Sequence, residues 1–354
     1  MTELEQQILD IIQDGFPIVE RPYAALADML NREAVLLHAD DAQHLHTTEQ
    51  LVFDVVESLR SSGVIRRLGG VYDTKRLGLV SRLCAGKVPS VATGATDDSA
   101  LEQFAAAVME IPAITHNYVR SHQYNVWFTV IAESELALQA VIDKLCGETA
   151  LHDVHSMPAR KMFKINTVMS RRSRTSAKLG EPSASAMNSV SSANALNVSA
   201  LSVSDRTRIR LLSGDLPHSL TPFNELFADV ISGTKSLADL LQDACSDLTS
   251  RRMRRFGAVL RHQDAGFPCN AMVCFDVADG SAAGAVLAAN SHVSHCYERP
   301  PFEGFPYNVY AMFHASTSEE LLRFVNEAVA ALGNPQFAVL HSVRELKKTS
   351  YKYF

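Results

Sequence analysis

The chain has 354 residues, 47% hydrophobic and 20% charged, the profile of an ordinary globular protein with room for several cores. Its net charge of −6 argues against a general affinity for nucleic acid or anionic membranes, and no apolar run approaches the ~20 residues of a membrane span. The start MTELEQQILDII is not the basic-then-apolar pattern of a signal peptide; six cysteines without a C-x-x-C pair argue against a cysteine-ligated metal and for free thiols in a reducing cytoplasm.

In chain order, Leu4, Ile8, Ile11 and Ile12 have helical spacing, and Asp14-Gly15 with Pro17 stops that helix. Pro22 starts a second helix, and Thr47 or Thr48 caps a third that ends at Gly63. Val64 to Tyr72 reads as a β-hairpin wing, so residues 1–78 predict a winged helix-turn-helix. Over residues 79–169 strands and helices alternate. LVSRLCAGKV is a strand, SALEQFAAAVMEI a helix, ITHNYVRS and YNVWFTVIAE two strands, ELALQAVIDKLCG a helix, and His152 to Met157 a last strand. That βαββαβ order is the ferredoxin-like split unit. Residues 170–202 are rich in Ser, Ala and Asn, without an aromatic residue or an apolar stripe, and read as a flexible linker.

Beyond the linker the motifs return in the same order. Asp14-Gly-Phe-Pro17 and Arg21-Pro-Tyr23 recur as Asp215-Leu-Pro217 and Thr221-Pro-Phe223, and Arg66-Arg-Leu-Gly-Gly-Val71 recurs as Arg254-Arg-Phe-Gly-Ala-Val259. Thr115-His-Asn-Tyr118 recurs as Ser294-His-Cys-Tyr297, Tyr124-Asn-Val126 as Tyr307-Asn-Val309, and Phe163-Lys164 as Tyr351-Lys352. A second winged helix-turn-helix is therefore expected over 203–265, shorter by about a dozen residues, and a second βαββαβ unit over 266–354. The expected fold class is α+β: two tandem copies of a winged helix-turn-helix plus a ferredoxin-like domain, forming a pseudo-dimer.

A helix-turn-helix ordinarily predicts DNA binding, but the charges oppose it. Residues 1–86 hold eight Lys/Arg against thirteen Asp/Glu, and the third helix sets Glu49, Asp54 and Glu57 against one Arg60. A groove-reading helix needs cations for phosphates and polar groups for base edges. No nucleic acid partner is expected, and the helices read as packing elements.

The most informative stretch is Ile114 to His122. Alternate residues of a strand share a face, which puts His116, Tyr118, Arg120 and His122 on one side. The second copy repeats His295, Tyr297 and Arg299, but Pro301 replaces His122, and about four residues are inserted before Tyr307. Imidazoles suit proton transfer near neutrality, guanidinium forks suit carboxylates, and tyrosines stack or donate. The row predicts a site for a flat, carboxylated ligand, with His116, His122 and His295 as proton-handling candidates. Tyr118, Arg120, Tyr124, Tyr297, Arg299 and Tyr307 are candidate binding residues, and the wing arginines Arg66, Arg67, Arg254 and Arg255 candidate carboxylate holders. No phosphate loop, zinc-protease or serine-hydrolase motif is present, and no metal site of the protein's own is expected.

The winged helix plus βαββαβ unit is similar to the Lrp/AsnC-type regulators. More specifically, FP-x-x-x-RPY, IRRLGGVYD, THNY-x-R-x-H-x-YN-x-WFT and, in the second copy, SHCYERP resemble the siroheme decarboxylases in their fused two-copy form. The resemblance implies loss of two CO2 from siroheme to give 12,18-didecarboxysiroheme, in haem d1 or alternative haem biosynthesis. It implies no cofactor beyond the iron of the substrate, a cytoplasmic setting, a homodimer, and other tetrapyrrole-biosynthesis enzymes as partners. The substrate's iron would lie near His116, His122 or His295. The residues themselves leave two rivals open: a ligand-responsive transcription regulator, and a haem-binding protein without turnover.

Overall fold

The computed structural model describes residues 1–37, 46–89, 99–165, 201–231, 235–260, 269–348 and 353–354. The expected linker falls outside these, apart from its last two residues. Chain contacts divide the protein into two compact units, and each unit takes one half from each copy. The first holds the helix-turn-helix halves with Tyr353 and Phe354; the second holds the strand-rich halves.

In the first unit, α1 (Glu3–Asp14) begins at a capping box between Thr2 and Glu5 and buries Ile8, Leu9 and Ile12. Helix α2 spans Pro22–Leu37, and α3 (Glu49–Ser61) is capped by Thr48, whose side chain accepts from the Leu51 N–H. The second copy supplies α6 (Val203–Leu212), a short α7 (Pro222–Leu226) and α8 (Leu237–Thr249); capping boxes at Ser202 and Ser236 start α6 and α8.

The expected hairpin wing is not formed. Ile65–Tyr72 is one continuous strand, β1, paired antiparallel with β7 (Met253–Leu260) of the other copy. The paired glycines of the RRLGG motif serve close approach rather than a turn. Gly69 lies opposite Gly257, and a Cβ on Gly69 would sit 2.1 Å from the Gly214 carbonyl oxygen. A Cβ on Gly257 would sit 2.4 Å from that of Ile12. The exchange is reciprocal: Phe16 N–H donates to Phe256 O at 2.8 Å, and Leu216 N–H to Leu68 O at 2.9 Å. The last two residues, expected with the second ferredoxin-like domain, join this unit instead, where the Tyr353 ring meets Tyr72 edge-on at 5.7 Å.

In the second unit, copy one contributes β2 (Val80–Lys87), α4 (Ser99–Glu110), β3 (Ile114–Arg120), β4 (Val126–Ala132), α5 (Glu135–Glu148), β5 (His152–Pro158) and β6 (Lys161–Ile165). Copy two contributes β8 (Cys269–Asp276), α9 (Gly280–Ala289), β9 (Val293–Glu298), β10 (Val309–Ala315), α10 (Ser318–Ala331) and β11 (Gln336–Lys348). The βαββαβ order expected from the sequence is present in both copies, with β6 added to the first.

All nine strands form one hydrogen-bonded series, β5-β2-β4-β3-β11-β8-β10-β9-β6. The join between copies is an exchange of strand ends. The first part of β11 pairs with its own β8 and its remainder with β3, while β6, two residues after β5, pairs with β9 of the second copy.

Alternation along the strands builds three cores. Val126, Phe128 and Val130 pack under α4 and α5 with Phe104, Leu138 and Ile142. Val309, Ala311 and Phe313 pack likewise with Leu287, Leu321 and Phe324. The opposite faces meet in a third core that draws Ala85, Tyr124, Trp127 and Met157 from copy one and Met272, Cys274, Phe305, Tyr310 and Leu340 from copy two. Among the described residues no helix is long and apolar enough to cross a membrane.

Candidate active site

The histidine rows lie on β3 and β9. His116 pairs with Thr129 and Tyr118 with Trp127; His295 pairs with Met312 and Tyr297 with Tyr310. Trp127 and Tyr310 point into the third core, so both rows run along the faces that meet there. The alternate residues Asn117 and Cys296 are buried on the other side. His116 Nδ1 lies 2.9 Å from Thr115 Oγ1, and His295 stacks parallel to Tyr297 at 6.3 Å.

The row arginines are related pairwise. Arg120 lies over the Tyr118 ring at 5.1 Å and Arg299 over Tyr297 at 5.0 Å. Arg120 Nη1 donates to Leu340 O at 3.1 Å and to Ser342 Oγ at 3.2 Å, and Arg299 Nη1 donates to Met157 O at 2.8 Å. Burial pulls both guanidiniums below their usual pKa, and the partners their Nη groups have among the described residues are carbonyls, a hydroxyl and a thioether, not carboxylates. The Nε of each is buried without a hydrogen-bond partner.

The copies diverge beyond the arginine. The Tyr124 backbone N–H donates to His122 Nδ1 at 3.1 Å. A backbone amide can only donate, so Nδ1 is the acceptor and the ring proton sits on Nε2. Burial, and then the nearby Lys87 charge, push His122 below its ordinary pKa, and it is neutral at pH 7. Its ring lies parallel to Tyr124 at 6.0 Å and edge-on to Phe305 at 5.3 Å.

Around Tyr124 the chain assembles groups that the sequence reading left out. Lys87 Nζ bonds Asp153 Oδ2 at 2.6 Å and sits 4.5 Å over the Tyr124 ring. Asp153 Oδ1 lies 2.9 Å from His155 Nε2, which is 3.4 Å from the Tyr124 hydroxyl. That hydroxyl donates to Glu303 O at 3.3 Å. The insertion of the second copy folds over this cluster: Phe302 and Phe305 exchange backbone bonds about Gly304 (φ +76°), and Phe302 stacks on His155 at 3.9 Å. Tyr307 meets Phe305 edge-on at 4.7 Å. The HDVH stretch holds both residue types, but the left-handed Asp153 and the register break interrupt the two-residue alternation there, so periodicity does not point to the pair.

Among the described residues the second copy has no such cluster. Ladder register makes Ala338 the counterpart of His155, since Ala85 pairs with His155 and Cys274 with Ala338. Asp276 stands for Lys87 and Gln336 for its ladder partner His152, which leaves the bulged Asp153 without a counterpart in that ladder, as Pro301 stands for His122.

The wing arginines lie in the first unit. Arg67 donates to Gly70 O and Gly214 O, Arg254 pairs with Asp73 at 2.9 Å, and Arg255 donates to Gln13 O. Burial pushes Arg67 down to about 10. Arg66 lies beside them on β1. No group of three or more His, Cys, Asp or Glu that could hold a metal occurs among the described residues.

Comparison with known proteins gives concordant matches. The AsnC-like ligand binding domain family matches residues 77–164 and 264–347, and the siroheme decarboxylase NirDL-like HTH domain family matches 5–35. A siroheme decarboxylase of Hydrogenobacter thermophilus is 30% identical over 352 residues, 98% of this chain and 94% of that protein. The crystal structure of the siroheme decarboxylase NirDL superposes with a TM-score of 0.67 at 26% identity, covering 99% of this chain and 94% of that one. A structure of NirDL with an iron-uroporphyrin III analogue gives 0.66 at 25%, with the same coverage. At that identity and coverage, the chain belongs to the siroheme decarboxylase family.

Proposed function

We propose that this protein is a carboxy-lyase that removes CO2 from the C12 and C18 acetates of siroheme, giving 12,18-didecarboxysiroheme. The observation that carries the reading is the pair of His-Tyr-Arg rows flanking one shared core, in a chain that matches a siroheme decarboxylase over nearly its whole length. Breaking the bond to each carboxyl carbon leaves an electron pair on the methylene carbon, which the conjugated macrocycle delocalises. A proton then completes the methyl group. The macrocycle is its own electron acceptor, so the reaction needs no further cofactor, and the iron belongs to the substrate.

The proposed site is drawn from the second unit. His116 and His295 handle protons along the rows, and the tyrosines beside them bind the ring. Arg120 and Arg299 each have a partnerless Nε–H to offer a carboxylate. His122 offers a neutral Nε2–H, which has no protein partner among the described residues and can donate to a retained carboxylate of the substrate. The six cysteines are free thiols, consistent with a cytoplasmic setting, and a homodimer and other enzymes of tetrapyrrole biosynthesis are the expected partners.

The test is anaerobic incubation with siroheme and mass analysis of the extracted tetrapyrrole. Loss of two CO2 without added cofactor is expected; binding without mass change would make the protein a carrier.

A further inference from the structure

We propose that Lys87, Asp153 and His155 form a positioning network that serves the first copy alone, clamping Tyr124 and, through it, fixing the ring of His122. The inference rests on the reading of His122 as part of the working site, and it adds residues which that reading does not assign.

Three independent features converge on these side chains. The first is connectivity: Lys87 bonds one oxygen of Asp153, the other oxygen faces His155 Nε2, and His155 and Lys87 both reach Tyr124. The second is backbone geometry. Asp153 has φ +50°, a left-handed conformation that costs an ordinary residue energy and persists where the surroundings impose it. The β2–β5 ladder also breaks register between Ala85 and Lys87, and such a bulge re-aims a side chain. The third is asymmetry: the matching β8–β11 ladder runs without a register shift from Asp276↔Gln336 to His341↔Ala271, and among the described residues no equivalent of the network occurs there. A merely structural tie between strands would be of use to both copies.

The clamp acts on His122 through Tyr124. The Tyr124 ring is held by Lys87, by His155 and by Phe302, while its carbonyl accepts from Trp127 Nε1 at 2.7 Å. A backbone so fixed points its N–H at His122 Nδ1, which leaves a single tautomer with Nε2–H outward.

The test combines Asp153→Asn, His155→Ala and the conservative His155→Gln in the full chain. Long-range 15N–1H NMR of labelled histidines, with His122 assigned by its own substitution, reads the tautomer without any substrate. Siroheme turnover is followed in parallel. We expect Asp153→Asn and His155→Ala to mix the His122 tautomers and lower kcat by about 10²-fold with KM changed far less, and His155→Gln to restore part of both. Asp276→Asn and Gln336→Ala in the second copy should alter neither. Folded Asp153→Asn and His155→Ala proteins with the parental tautomer and parental kcat would overturn the inference. If the parent does not decarboxylate siroheme, the functional reading falls, and the tautomer measurement still decides the clamp. Should His155→Ala fail to fold, Asp153→Asn and His155→Gln carry the same measurement.

Discussion

Arg120 and Arg299 do the same thing in opposite directions: each sends Nη1 to a backbone carbonyl of a strand from the other copy, Leu340 of β11 at 3.1 Å and Met157 of β5 at 2.8 Å. The two copies are thus pinned together by cations at the edge of the core they share. A buried charged hydrogen bond is worth about 1.5–3 kcal/mol. Arg120→Ala should therefore lower unfolding stability by about 2 kcal/mol, read as a denaturant midpoint with unchanged slope, and Arg120→Lys should lose less. If Arg120→Ala keeps its midpoint and only KM rises, the guanidinium serves the substrate instead of the pin.

His122 gives a pH signature. Its folded pKa lies below the ordinary value of about 6.5 because of burial and Lys87. A depressed value means that the stability this group contributes is complete above the ordinary pKa and is lost as pH falls through the folded one. Protonation also turns Nδ1 into a donor facing the Tyr124 N–H. Lys87→Met removes a lowering charge, so the His122 titration, followed by ring-carbon NMR, should move to higher pH. A downward move would contradict the electrostatic assignment.

In the helix-turn-helix unit, Arg208 is buried among acids, bonding Asp247 at 3.2 Å and Asp205 at 2.9 Å. Arg252 bonds the second Asp247 oxygen at 3.0 Å. Removing one partner of a buried pair strands the other charge, at about 3–5 kcal/mol. Arg208→Met should cost that much in chemical denaturation, and Arg208→Met with Asp247→Leu together should cost less than Arg208→Met alone.

The close approach at Gly69 gives a packing test. Gly69→Ala forces its Cβ against a backbone oxygen and should destabilise by about 1–3 kcal/mol. Gly147 in α5 has nothing within 4 Å of an added Cβ. Gly147→Ala should be neutral or stabilising by about 0.5–1 kcal/mol. Thermal or denaturant melts of the two variants separate these outcomes.

The third helix offers no cation to DNA: Arg60 is buried, bonded to Asp215 at 3.1 Å and to the Leu216 carbonyl. Gel shifts with genomic fragments at physiological salt should show no sequence-dependent complex. A nanomolar specific shift would revive the regulator reading.

The sequence by itself determined whatever depends on local period. Helical spacing and caps marked α1 and α3, the two-residue alternation put His116, Tyr118 and Arg120 on one face, and the recurring motifs gave the second copy. The tertiary structure decided everything that one copy does to the other. Val64 to Tyr72 suits a hairpin wing by its local sequence, whereas the fold makes it one strand whose glycines admit a backbone from the other copy. That Arg120 also bonds Leu340 O, 220 residues away, follows only from the tertiary structure. Lys87, Asp153 and His155 are scattered over two strands, and a bulge and one left-handed residue bring them together. Periodicity encodes which face a side chain takes, because that follows from adjacent backbone dihedrals. It does not encode which distant strand will supply the neighbour, because register between copies is set by long-range packing and hydrogen bonding.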